Sequence, residues 1–199
     1  MENQKEEVPF AHYTQRFYQA DPLEVAHRLA DTEWDGAHFH LSLMGRDYEI
    51  SHPDCGIWHL DGEPSRTVQT FLLRYLLEGR DIRWLGGWKT FREMPWGEMY
   101  VKPFTGRALS RGAFTFGTRL DDFQAACEKM GAAKVQRGDA GYQFDFIGNY
   151  KMQILVWEGD EEFPPNAQIL YSDNFAEGFT AEDRVVAADI LIAVIKSNM

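Results

Sequence analysis

The apolar positions of this chain follow two periods. Phe10, Tyr13 and Phe17 recur three and four residues apart and predict an opening helix. A second helix announces its start, with Asp21 as N-cap, Pro22 at the first helical position and Glu24 as a capping-box-like partner. Leu23, Ala26, Leu29 and Ala30 are its expected buried face. Period two then takes over. Phe39, Leu41 and Leu43 alternate with polar neighbours, and Tyr48 and Ile50 do so after Gly45-Arg46. A two-residue turn with glycine first suits type II′ geometry and would set Leu43 opposite Tyr48 and Leu41 opposite Ile50.

Ser65 caps the clearest helix, in which Val68, Phe71, Leu72, Tyr75 and Leu76 form one stripe and Gly79 ends it. From Trp84 to Phe104 the periodicity dissolves into a glycine-punctuated, aromatic-rich stretch. A helix from Thr118 is expected to bury Leu120, Phe123, Cys127 and Met130. Tyr142, Phe144 and Phe146 alternate up to a turn at Gly148-Asn149, and Met152, Ile154 and Val156 return from it. Ile154 to Trp157 is apolar on both faces, as in a central strand, and Ala167 to Tyr171 is a further strand. Thr180, with Asp183 as box partner, caps a last helix that is apolar nearly all round; Asp189 is expected at its least buried edge.

Hairpins with helices before, between and after them predict an α+β fold: one layered domain over residues 1–199, its antiparallel sheet built from hairpins 37–52 and 141–157. Roughly the first seven residues, polar and acidic, are expected to be disordered. Aromatics at 14% of the chain supply either a well-filled core or an apolar ligand pocket. With 20 Lys and Arg against 31 Asp and Glu, the charge of −11 disfavours nucleic-acid and membrane-surface partners, leaving a small molecule or a protein. Two cysteines, Cys55 and Cys127, make no disulfide framework. The start lacks a signal-like core, and the apolar stretch 185–195 contains Asp189 and is too short to span a bilayer, so a cytoplasmic location is expected.

Three regions hold candidate chemistry. His38, His40, His52, Cys55 and His59 crowd together in sequence. His38 and His40, two apart on a strand, share a face, an arrangement that zinc and iron sites use; exposed or hydrogen-bonded histidines are the alternative. The hairpin puts His52 on the other face, with Phe39 and Leu41, so a site using all three histidines is not expected. Trp84, Trp88, Arg92, Trp96, Met99 and Lys102 could line a cleft for a flat apolar ligand, with Arg92 or Lys102 meeting a carboxylate or phosphate. The alternative is a covering loop whose aromatics complete the core. Glu158, Asp160, Glu161 and Glu162 could hold a divalent metal or act as acid and base, or simply form a solvated turn. Phosphate-loop and nucleophile-elbow motifs are absent.

Asp21-Pro22-Leu23-Glu24-Val25-Ala26, Gly45-Arg46-Asp47-Tyr48, Thr90-Phe91-Arg92-Glu93-Met94-Pro95 and, most distinctively, the run from Trp157 to Ala167 carry a resemblance. Over nearly its whole length the chain resembles the bacterial and archaeal domain-of-unknown-function family 3786. That resemblance implies a single-domain unit found largely in anaerobes and supplies no catalytic residues. Relatives with an added cysteine-rich iron–sulfur segment, of the kind in corrinoid methyl-transfer proteins, extend the implication to tetrapyrrole or corrinoid handling. With two cysteines, this chain does not inherit the iron–sulfur part.

The leading expectation is therefore a non-catalytic binding or accessory module, holding a planar tetrapyrrole or corrinoid, or another metabolite, at the aromatic stretch, with a hairpin histidine as axial ligand. A metal-dependent enzyme using His38 and His40 with Glu158 and Asp160 is the rival, and a protein-interaction domain the third reading.

Overall fold

The computed structural model describes residues 4–29 and 31–199 and divides into two compact units. The first comprises the described residues up to Ile82 with Ile147–Asn149; the second comprises Arg83–Phe146 and Tyr150–Met199. Both helices and antiparallel strands occur in each, and the fold class is α+β.

In the first unit, α1 (Gln4–Tyr18) begins inside the segment expected to be disordered. Its first turns are tied down: Glu7 accepts from Arg66 at 2.9 Å and Glu6 from the Thr67 hydroxyl at 3.3 Å. Phe17 is fully buried, while the Arg66 and Arg74 guanidiniums cover the rings of Phe10 and Tyr13. α2 (Pro22–Arg28) starts as predicted, with Asp21 accepting from the Leu23 N–H at 2.9 Å. Its buried face is Val25 and Leu29; Leu23 is exposed, and Ala30 lies outside the described residues. So short a helix turns one stripe inward, and here the i, i+4 pair occupies it.

β1 (Glu33–Trp34), β2 (His38–Leu43), β3 (Arg46–Ser51) and β4 (Ile57–Trp58) pair antiparallel, followed by α3 (Arg66–Glu78) with Ser65 as its cap. The hairpin register differs from the expected one. Leu43 pairs with Arg46, Leu41 with Tyr48 and Phe39 with Ile50. The turn residues are Met44 and Gly45, both at positive φ (52° and 73°), which is the type I′ geometry whose twist matches that of the flanking strands. The difference is two residues, so faces are preserved although partners change. Phe39, Leu41, Leu43, Tyr48 and Ile50 are all buried.

The second unit contains β5 (Trp88–Thr90), a 3-10 turn at Phe91–Glu93, α4 (Gly97–Phe104), a π-helical turn at Thr105–Ser110, α5 (Arg111–Phe116) and α6 (Leu120–Lys129). After β6 (Ala133–Lys134) come β7 (Ala140–Ile147), β8 (Tyr150–Trp157), β9 (Asn166–Ser172), α7 (Phe175–Gly178) and α8 (Ala181–Ser197). β8 lies between β7 and β9, and β5 pairs along β9. The aperiodic stretch is thus partly helical. Pro103 sits inside α4 without an N–H to donate, and the chain continues through the wider π turn.

Phe91 stacks on Phe104 with centroids 4.1 Å apart. On α8 the Thr180–Asp183 capping box is present as predicted. Asp189 lies on the helix's least buried edge as expected, in line with Glu182, Val186 and Ala193, but it is itself only 8% exposed because it meets both Arg107 and Arg111. The two guanidiniums cover the carboxylate on that edge and replace most of the hydration it loses.

Gly45→Ala is expected to destabilise by about 1–2 kcal/mol in urea unfolding, from left-handed backbone strain alone, because no atom lies within 4 Å of the added carbon. Tyr142 donates to Glu128 at 3.0 Å, and burial pushes its phenol up to about 12. A phenol in the unfolded chain ionises near pH 10, so stability should fall as pH rises from about 10 towards 12, where only the unfolded chain loses the proton. In Tyr142→Phe that fall should be shallower when urea midpoints are compared across this range.

Candidate metal centre

The site begins at a turn. Asp35, just before Gly36, accepts the backbone N–H groups of Ala37 (2.8 Å) and His38 (2.7 Å) on Oδ1. These bonds orient its carboxylate and leave Oδ2 facing the strand. Oδ2 lies 3.0 Å from His40 Nε2 and 3.5 Å from His38 Nδ1. The His40 contact first, and the two backbone N–H groups next, hold the Asp35 carboxyl well below its ordinary range.

His38 and His40 share a face because β2 alternates, and their side chains are half-buried. One ligand atom each from Asp35, His38 and His40 lies within 4.8 Å of the other two; among the described residues this is the group so placed. Donors bound to a tetrahedral zinc ion at about 2.0–2.1 Å lie roughly 3.3 Å apart. The two Asp35 edges, 3.0 and 3.5 Å, bracket that separation.

The register supplies a fourth group. His40 pairs with Glu33 on one side and Glu49 on the other, and Glu49 pairs in turn with Trp58. Glu49 Oε1 lies 3.7 Å from His38 Nε2, the ring nitrogen not directed at Asp35. An open groove of about 680 Å³ runs over this sheet face and includes His40, Glu33, Glu49 and Trp58.

The other candidates divide clearly. His52 lies on the apolar face as expected, edge-on to Phe17 and Phe39, with Nε2 3.1 Å from the Phe17 carbonyl oxygen. Cys55 is buried beside Thr14, and burial pushes its thiol up. Glu158 and Asp160 belong to the second unit and join no three-ligand group among the described residues. Asp160 caps its own turn, accepting from Glu162 and Phe163 N–H at 2.8 and 2.7 Å, and Glu158 is exposed.

The aromatic stretch also lies in the second unit. Trp84 and Trp88 meet edge-on at 5.3 Å, and the Trp84 indole donates to the Gly87 carbonyl. Trp96 and Met99, at 69% and 72% exposure, complete no core, and among the described residues no ring contact links Trp96 to the other two tryptophans. Arg92 is engaged by Glu98 through two bonds of 2.5 and 2.6 Å, and Lys102 is exposed.

Residues 21–194 match the family described as a domain of unknown function, DUF3786. The chain belongs to that family. No curated protein and no solved structure matches it. The matched span contains the histidines, the aromatic stretch and the acidic loop alike, so membership does not choose between them. No helix among the described residues is long and apolar enough to cross a membrane.

Sequence reasoning missed Asp35. The available signal was Asp-Gly two residues before a His-x-His strand, since aspartate at a turn bonds forward to the backbone and so aims its second oxygen at the strand. With its carboxyl depressed, Asp35 adds stability that is present above about pH 4, the unfolded value, and lost as pH falls further towards the folded value. The urea-midpoint gap between the parent and Asp35→Asn is therefore expected to be largest at neutral pH and to narrow below about pH 4.

Proposed function

We propose that the first unit binds one divalent transition-metal ion through Asp35, His38 and His40, with coordination positions left open to a small-molecule ligand. The convergence of those three donors within 4.8 Å of one another, with both Asp35 edges near the separation of zinc ligands, carries the reading. Two imidazoles and one carboxylate favour zinc, iron, nickel or copper over magnesium and calcium, which prefer all-oxygen shells. Three protein donors are also the number found in open sites, whereas closed structural zinc sites use four.

Each donor has a defined part. Asp35 Oδ2 supplies charge from a carboxylate already ionised and oriented by backbone. His38 faces the ion with Nδ1, and the Glu49 carboxylate, 3.7 Å from Nε2, favours the ring proton on that side and so a free Nδ1. His40 contributes Nε2. Without an ion the same Asp35 oxygen accepts from His40 Nε2–H, so metal binding displaces that proton and weakens on acidification.

The planar tetrapyrrole or corrinoid reading has less support. Arg92 is occupied by Glu98, and the exposed Trp96 and Met99 stand apart from the Trp84–Trp88 pair in the ring contacts.

Zinc titration of the metal-free protein by calorimetry is expected to show one site per chain. His38→Ala and His40→Ala should abolish it, Glu49→Gln should weaken it by about 10–100-fold, and His52→Ala should leave the affinity unchanged. Excess magnesium should not compete. Equal zinc binding by the parent and a His38→Ala/His40→Ala double variant would refute the reading.

A further inference from the structure

We infer that the groove on the outer face of the first sheet is a binding site for an organic cation bearing an alkylammonium or guanidinium group. The inference rests on the groove and not on the metal ion, which it does not require.

Asp31, Glu33, Asp47 and Glu49 line the groove, and no Lys or Arg is among its lining residues. A concave surface with carboxylates of one sign and protein walls concentrates its field on the space between them. Trp58 stands at the end of the cross-strand row Glu33–His40–Glu49–Trp58, 39% exposed, where its ring can meet a cation face-on beside the Glu49 carboxylate. Leu60, fully exposed, adds an apolar lip suited to the methylene chain of an alkylammonium. Carboxylate, aromatic face and aliphatic edge in one groove match the three parts of such a ligand.

His59 points to the same occupant by a separate route. Its side chain lines the groove and is only 8% exposed. Nδ1 accepts the Asp61 N–H at 3.1 Å, which places the ring proton on Nε2. Among the described residues that Nε2 has no hydrogen-bond partner. With no protein acceptor, that donor opens to the groove, where an oxygen of an occupant can accept from it. An occupant bearing a neutral oxygen acceptor beside its cation, as the amide of a basic amino acid does, would use that donor. The groove volume, about 680 Å³, lies within the roughly 300–1,000 Å³ usual for small-molecule sites and favours a free ligand over a long peptide.

The test uses the full chain kept metal-free with chelator, with calorimetry and tryptophan fluorescence as readouts and circular dichroism as the folding control. Agmatine and arginine amide are the probes, citrate is the anionic control, and a glycine-flanked arginine pentapeptide presents the same group as a side chain. Both small cations are expected to bind saturably and citrate not at all. Glu33→Gln/Glu49→Gln and Trp58→Ala should each weaken agmatine at least tenfold. Glu161→Gln/Glu162→Gln, which removes the same charge from the second unit, should not. Arginine amide should bind more tightly than agmatine, and His59→Phe should erase that advantage. Binding by the pentapeptide alone would retain the guanidinium site and assign its source to a protein partner. No binding by any cation, or equal weakening by the Glu161→Gln/Glu162→Gln control, would overturn the inference. Zinc affinity measured separately in the same variants tells failure of this site from failure of the metal centre.

Discussion

The pairings of Phe39 with Ile50 and Leu41 with Tyr48 decide where every other side chain of the first hairpin can go. A strand has a strict period of two, so burying Phe39, Leu41, Leu43, Tyr48 and Ile50 on one face sends His38, His40, Ser42, Asp47 and Glu49 to the other. A slip of one residue would turn the shifted strand's apolar set outward, three side chains in β2 or two in β3, each worth about 1.5–3 kcal/mol of burial. The histidines face outward because their neighbours cannot. The candidate metal centre and the acidic groove both inherit their rigidity from that apolar constraint, and neither has to supply it.

What the strand provides is a surface; what makes it a candidate centre is the turn before it. Asp35 spends one oxygen on two backbone N–H groups and presents the other to both imidazoles. That division holds the carboxylate ionised and oriented before any ion arrives, which lowers the ordering needed on binding. Glu49, brought opposite His40 by the observed register, reaches the far nitrogen of His38. The same register puts Trp58 beside Glu49, so one cross-strand row serves the metal centre at one end and the groove along its length.

Much of this was legible before any coordinates. The caps Asp21, Ser65 and Thr180 mark the helices they begin, and alternation puts His52 on the face away from His38 and His40. Alternation fixes parity, however, and not pairing. Gly45 can serve as the first residue of a II′ turn or the second of a I′ turn, and the choice moves the register by two. With the turn at Gly45-Arg46, Glu49 would face Ser42 and not His40, and the row that defines the site would not exist. Asp35 escaped because its role depends on backbone bonds in a turn, which no side-chain period records. In the second unit, Gly97, Pro103 and Gly106 masked the helical run from α4 to α5, and Trp96, read as core or cleft, is neither buried nor joined to its neighbours.

The most direct test of the central claim is X-ray absorption at the zinc edge on protein loaded with one equivalent of zinc. The account predicts nitrogen and oxygen neighbours at about 2.0–2.1 Å, with outer-shell scattering from two imidazole rings that disappears in His38→Ala/His40→Ala. A first shell containing sulfur at about 2.3 Å, as a thiolate from Cys55 or Cys127 would give, or a shell without imidazole scattering, would contradict it.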